Sequence, residues 1–195
     1  DGRPGHENQV RGLSEALERI RSVEVFDVFV HDDMKGLRSF FPNRLRQVAS
    51  FPAPDLLIGA GHSTHLPLLA CSRRYGGRSV VIMKPSLPVG LFDLCLIPEH
   101  DTLCFPSANV VRTEGALNRI RPSDKQLADH GLILIGGLSK HFRWSDESVA
   151  QQVRNIIAST PLQWTIAASE RTPMSFLQHL QAKLPDVRLM TPDDT

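Results

Sequence analysis

Six short clusters in this chain carry residue types that bind anions or move protons. The first is Asp1-Gly2-Arg3-Pro4-Gly5-His6-Glu7-Asn8-Gln9, where two glycines and a proline run straight into an amphipathic stretch. Glycine-rich loops that open into helices present free N–H groups and the positive end of the helix dipole, which suits phosphate or another anion. A plain strand–helix turn is the structural alternative. The second cluster is Gly59-Ala60-Gly61-His62-Ser63-Thr64-His65. His62 and His65 are spaced to share a helix face, as substrate-lining groups, as caps or as metal ligands. A zinc site needs further ligands at similar reach, and no HExxH pattern supplies them. We therefore expect no metal.

The third cluster is Lys84-Pro85-Ser86, in which the lysine can face an anion or point into solvent. The fourth, Pro98-Glu99-His100-Asp101, has the residue types of acid–base work. Neighbouring residues point in different directions, so a charged surface turn is the alternative. The fifth, Ile135-Gly136-Gly137-Leu138-Ser139-Lys140-His141-Phe142-Arg143-Trp144, is the strongest anion candidate, with glycines for close approach and several donors. It is neither GxxxxGK(S/T) nor GxGxxG, which argues against a P-loop and against a dinucleotide cofactor. No cofactor is expected. The sixth, Ser169-Glu170-Arg171-Thr172, sits where it can meet the same ligand.

The last five follow apolar runs, and that sets what must position them. Asp55–Ala60, Arg78–Met83, Phe92–Ile97, Asn109–Arg112, Gly131–Ile135, Gln163–Ala168 and Val187–Met190 read as strands, as does the β-branched and aromatic run Val23–Val30. Helical spacing appears over Glu7–Arg21, Thr64–Tyr75, Asp146–Ala158 and Met174–Lys183, with a shorter helix over Arg44–Ser50. Gly76-Gly77 are a C-terminal stop and Ser145 an N-cap. Strands without facing alternation, each followed by a helix, predict parallel sheets covered on both faces. Ligands of such sheets bind beyond the carboxyl ends of the strands, where these clusters lie. The alternation pauses over Thr113–His130, so two domains are expected, residues 1–120 and 121–195. A glycine-rich loop of the first kind normally follows a strand, so a strand is expected ahead of Asp1.

Composition excludes several classes. The chain has 195 residues, 41% hydrophobic and 22% charged, as in ordinary globular domains. A net charge of +1 excludes nucleic-acid binding by bulk electrostatics. No apolar run approaches the ~20 residues of a membrane span. The three cysteines, Cys71, Cys95 and Cys104, include no CxxC pair. We read Cys71 and Cys95 as small core residues in a reducing, cytoplasmic compartment.

The blocks DGRPGHENQ, PDLLIGAGHSTHLP, VVIMKPSLP, FDLCLIPEHD, GALNRI and LIGGLSKHFRW, in this order, resemble the mitochondrial fission ELM family, which is also common in bacteria. That family is similar in turn to GT-B glycosyltransferases, enzymes built from two Rossmann-like domains. Gly2–His6 resembles the glycine-rich loop of the muramyl-lineage N-acetylglucosaminyltransferases, and Gly136–Ser139 the loop that opens their nucleotide-sugar domain. The implied fold is α/β and GT-B-like, with an acceptor-side domain, then a nucleotide-sugar domain that continues beyond Thr195.

The resemblance implies metal-independent transfer of a sugar from a nucleotide sugar, with UDP the first carrier to test, to an envelope or lipid acceptor. His6 or His62 is then the base. Gly2, Gly5, Asn8, Gly61, Lys84, Gly136, Gly137, Ser139, Lys140, His141, Arg171 and Thr172 line the substrate or the diphosphate. Peripheral contact with a membrane fits this picture. The alternatives are a non-catalytic adaptor on the same scaffold and a metal hydrolase using His62, His65 and His100.

Overall fold

A computed structural model describes residues 2–40, 45–103, 105–139 and 143–194. The chain divides into two compact units, Asp1–Pro122 and Ser123–Thr195.

The first unit opens with α1 (Pro4–Ile20), which has proline in its first turn, where a missing N–H costs nothing. Its Gly12 lies against the backbone of Asn118, so close that a Cβ would overlap the Asn118 carbonyl. Glu15 receives Arg119 at 2.6 Å and Arg121 at 2.8 Å on the same stretch. Short 3₁₀ turns and α2 (Arg46–Ala49) lead to a four-stranded parallel sheet in the order β1 (Leu56–Ala60), β2 (Arg78–Ile82), β3 (Leu94–Pro98), β4 (Val110–Thr113). α3 (His65–Tyr75) joins β1 to β2 and ends at Gly76 and Gly77, both with φ +82°, a backbone that only glycine adopts cheaply. α3 packs Leu68 and Leu69 onto Val81, Cys95 and Ile97, and packs Ala70 and Cys71 onto Met34, Leu45 and Val48.

Residues 22–30 differ from the sequence reading. They are not a strand. Among the described residues, no backbone hydrogen bond is made by this segment. Its side chains hold it instead: Phe26 stacks on Phe51 at 4.7 Å, Asp27 pairs with Arg11 at 3.5 Å, and Val28 and Val30 pack on the α2–α3 core. A β-branched run is a strand only beside a partner backbone, and β1 is not in ladder contact with it.

The second unit is a parallel sheet in the order β5 (His130–Ile135), β6 (Gln163–Ala168), β7 (Arg188–Met190), connected by α4 (Asp146–Ser159) and α5 (Met174–Lys183). Ser145 caps α4 by accepting the Ser148 N–H. Its core is Ile135, Ala150, Val153, Ile166, Phe176, Leu177 and Leu180, with Trp144 edge-on to Phe176. Here the expectation of helices on both faces fails. The strands add in one direction, and right-handed crossovers then put α4 and α5 on the same face. Ile133 and Ile135 point to that core, whereas Leu132 and Leu134 on the other face are 60% and 70% exposed.

Among the described residues, no helix is long and apolar enough to cross a membrane.

Candidate functional site

In the first unit the turn after β1 is made by Gly61, whose φ of +92° is left-handed territory. Thr64 locks the turn by returning both its N–H and its hydroxyl to the Gly61 carbonyl, at 3.1 and 2.8 Å. This places His62 on the surface and His65 in the interior, 3% exposed, with the two rings edge-on at 5.8 Å. His65 also meets the Phe92 ring at 5.7 Å.

Ser86 joins the two histidines. It lies on the loop after β2, which begins at Met83 with φ +71°, an uncommon conformation for a non-glycine residue. Its Oγ is 2.6 Å from His62 Nδ1 and 3.1 Å from His65 Nδ1. A hydroxyl has one proton to give. At most one imidazole therefore accepts from Ser86, and at least one donates its Nδ1–H to the hydroxyl oxygen. Where His62 is the donor and neutral, its Nε2 lone pair is free for a proton on a substrate. Burial holds the His65 pKa below its usual value, with the nearby His62 adding to the effect.

His6 sits in the first turn of α1, half-buried. Its pKa is lowered by that burial and then by the positive charge of Arg3. His6, Gly59, Ala60 and Thr64 line one cavity. Gln9, one turn on from His6, donates to Met83 Sδ at 3.2 Å and is 7% exposed, while its Oε1 has no partner. Gly2 has φ +78°, whereas Gly5 has open space around it and Asn8 is exposed.

Lys84 Nζ donates to the Thr102 carbonyl at 2.5 Å, which ties the loop after β2 to the loop after β3. The Glu99-His100-Asp101 segment is a turn whose Glu99 and Asp101 carbonyls are both held by Arg112 at 2.8 Å. Among the described residues, no three metal-capable side chains group together.

In the second unit the loops after β5 and β6 are bonded together. Leu138 N–H donates to the Arg171 carbonyl at 3.0 Å. The Thr172 hydroxyl lies 2.5 Å from the Gly136 carbonyl and 3.3 Å from that of Ile135, and it accepts the Ser169 N–H at 2.9 Å. Gly137 is glycine for a packing reason: a Cβ there would sit on top of the Arg171 carbonyl and the Thr172 nitrogen. A Cβ at Gly136 would meet nothing, and Gly136 is exposed, as is Arg171; Ser139 is half-buried. Gly136, Gly137, Arg171 and Thr172 are thus brought together. Lys140 and His141 lie outside the described residues.

A family model described as mitochondrial fission ELM1 matches residues 4–195, across both units. The chain belongs to the mitochondrial fission ELM1 family. Neither curated proteins nor solved structures gave a match. The ELM1 match takes in every candidate residue discussed above except Gly2. Within this ELM1 chain, Ser86 is the residue to which sequence reasoning assigned no role. The available signal was positional: β1 and β2 are adjacent, so the loops that follow them meet.

Proposed function

We propose that this chain is a GT-B-type glycosyltransferase or a close derivative, acting on a nucleotide sugar without a metal ion or other cofactor. The observation that carries the proposal is the Ser86 hydroxyl held between the Nδ1 atoms of His62 and His65 at the carboxyl end of a parallel sheet. That is where α/β sheets bind ligands. In this reading His62 Nε2 takes the proton of the acceptor hydroxyl. The hydroxyl oxygen attacks the anomeric carbon, and the bond from that carbon to the diphosphate oxygen breaks. The departing diphosphate carries away the electron pair and needs donors and positive charge. Arg171 and the loop after β5, with Lys140 and His141, are the proposed source of these. His6 is the second candidate for the base.

One observation favours the adaptor reading instead. The uncovered face of β5 presents Leu132 and Leu134, and exposed apolar side chains in a row suit a protein contact.

Titration of the complete protein with UDP, followed by calorimetry, separates the two readings. The glycosyltransferase reading expects saturable binding that Arg171→Ala weakens by about 1.5–3 kcal/mol, the range for a hydrogen bond to a charged group. His62→Gln should leave UDP affinity unchanged, because it acts on the acceptor. Absence of UDP binding, or equal affinity in Arg171→Ala, would count against it.

A further inference from the structure

The loop after β2 holds one side chain in place at the carboxyl end of the first sheet. Met83 donates its N–H to the Leu96 carbonyl at 2.9 Å, and its φ of +71° then turns the chain away from the strand. Lys84 is tied to the Thr102 carbonyl and Pro85 is buried, while Ser86 is exposed. In α/β-hydrolases an exposed serine on a strained turn after a parallel strand is the nucleophile. The Gly-x-Ser-x-Gly pattern of those enzymes is absent here, so side-chain geometry has to carry the comparison.

The two hydrogen bonds of Ser86 differ in length, and the difference gives their direction. N–H donors bond to oxygen over about 2.7–3.2 Å, and hydroxyl donors make shorter bonds. His65 Nδ1 lies 3.1 Å from the Ser86 hydroxyl oxygen, which fits an N–H donor. His62 Nδ1 lies 2.6 Å from it, which fits a hydroxyl donor. The chain of donors then runs outward, from buried His65 through Ser86 to exposed His62. Burial favours the neutral form of His65, and the rings of His62 and Phe92 flank it edge-on. The Leu87 N–H, next in the chain, makes no hydrogen bond among the described residues, so it can donate to an oxyanion.

We propose that Ser86 is a nucleophile toward carboxylic esters, with His62 as its general base and His65 as the residue that positions it. The Ser86 oxygen attacks the ester carbonyl carbon as its proton passes to His62 Nδ1. The bond from that carbon to the alkoxide oxygen then breaks, and the leaving alkoxide takes the proton from His62. Water hydrolyses the acyl-serine by the same route: its proton goes to His62 Nδ1, its oxygen bonds to the acyl carbon, and Ser86 leaves and regains a proton. An acyl group suits a neutral nucleophile with one base, whereas a phosphoryl group calls for cations, and the Lys84 ammonium is held at the Thr102 carbonyl. His62 is exposed, so its neutral tautomers exchange through water. One has a bare Nδ1 for Ser86, and the other has the bare Nε2 that the glycosyltransferase reading uses. The esterase inference therefore does not depend on that reading.

Labelling of the complete protein with a fluorophosphonate tests it, with the adduct located by mass spectrometry. The probe should attach to Ser86, Ser86→Ala should abolish that adduct, and His62→Gln should slow it by at least about a hundredfold, the scale of a lost general base. Both variants change exposed side chains, and circular dichroism checks that they fold. p-Nitrophenyl acetate should be turned over by the wild type and not by Ser86→Ala. No adduct, an adduct only at another residue, or equal labelling rates in His62→Gln would overturn the proposal. Equal ester turnover in Ser86→Ala would overturn it as well. UDP binding, present or absent, bears on the glycosyltransferase reading alone.

Discussion

Two adjacent glycines after β5 should respond in opposite ways to the same substitution. In Gly137→Ala the new methyl would overlap the Arg171 carbonyl, so the loops after β5 and β6 must separate. Separation stretches the Leu138 N–H bond to Arg171 and the Thr172 hydroxyl bond to Gly136. Each is worth about 1 kcal/mol, and taking the buried Thr172 hydroxyl proton away from its carbonyl partner adds about 1–3 kcal/mol. The expected loss is about 3–5 kcal/mol, from a unit whose size implies a total stability of roughly 4–11 kcal/mol. Gly136→Ala meets nothing and should change stability by less than about 0.5 kcal/mol. The assay is built into the chain. Its two tryptophans, Trp144 and Trp164, both lie in the second unit, so their fluorescence during urea unfolding reports that unit alone. The Gly137→Ala midpoint should fall by several molar or the transition should vanish. Equal midpoints for the two variants would refute the packing account of Gly137.

Thr172→Val should destabilise the second unit by about 1–3 kcal/mol in the same assay, and Thr172→Ser should recover most of it, because the hydroxyl rather than the methyl joins the two loops. Phe176→Ala removes a fully buried ring under Trp144 and should cost about 3–5 kcal/mol, measured by urea unfolding. His65 has a folded pKa below its ordinary 6.5, so the unfolded chain binds its proton first. Its stabilising contribution is complete above pH 6.5 and falls as pH drops toward the lowered value. A stability–pH curve from circular dichroism should lose this slope in His65→Phe, and an unchanged slope would exclude His65 as its source. Burial pushes the Cys71 and Cys95 thiols up to about 11, so alkylation at pH 8 should reach both only after unfolding.

Local chemistry is what the amino-acid sequence determines here. The strand–helix alternation, the stop at Gly76-Gly77, the Ser145 cap and the position of polar clusters just after apolar runs all depend on neighbours a few residues apart. Periodicity and turn residues record such neighbours directly. Membership of the mitochondrial fission ELM1 family was legible for the same reason, since short blocks in order survive in one dimension.

Tertiary structure alone decided four things. Ser86 meets His62 and His65 from 24 and 21 residues away, because parallel pairing of β1 with β2 aligns the loops that follow them. Gly137 is required by the Arg171 backbone on the next strand's loop, a collision that no local pattern encodes. Val23–Val30 has the composition of a strand yet pairs with no backbone among the described residues, because a strand is a relation between two backbones and composition describes only one. The bare Leu132–Leu134 face of the second sheet follows from the order in which strands add. Right-handed crossovers that run in one direction cover one face only, so burial of those leucines was set by topology rather than by their own hydrophobicity.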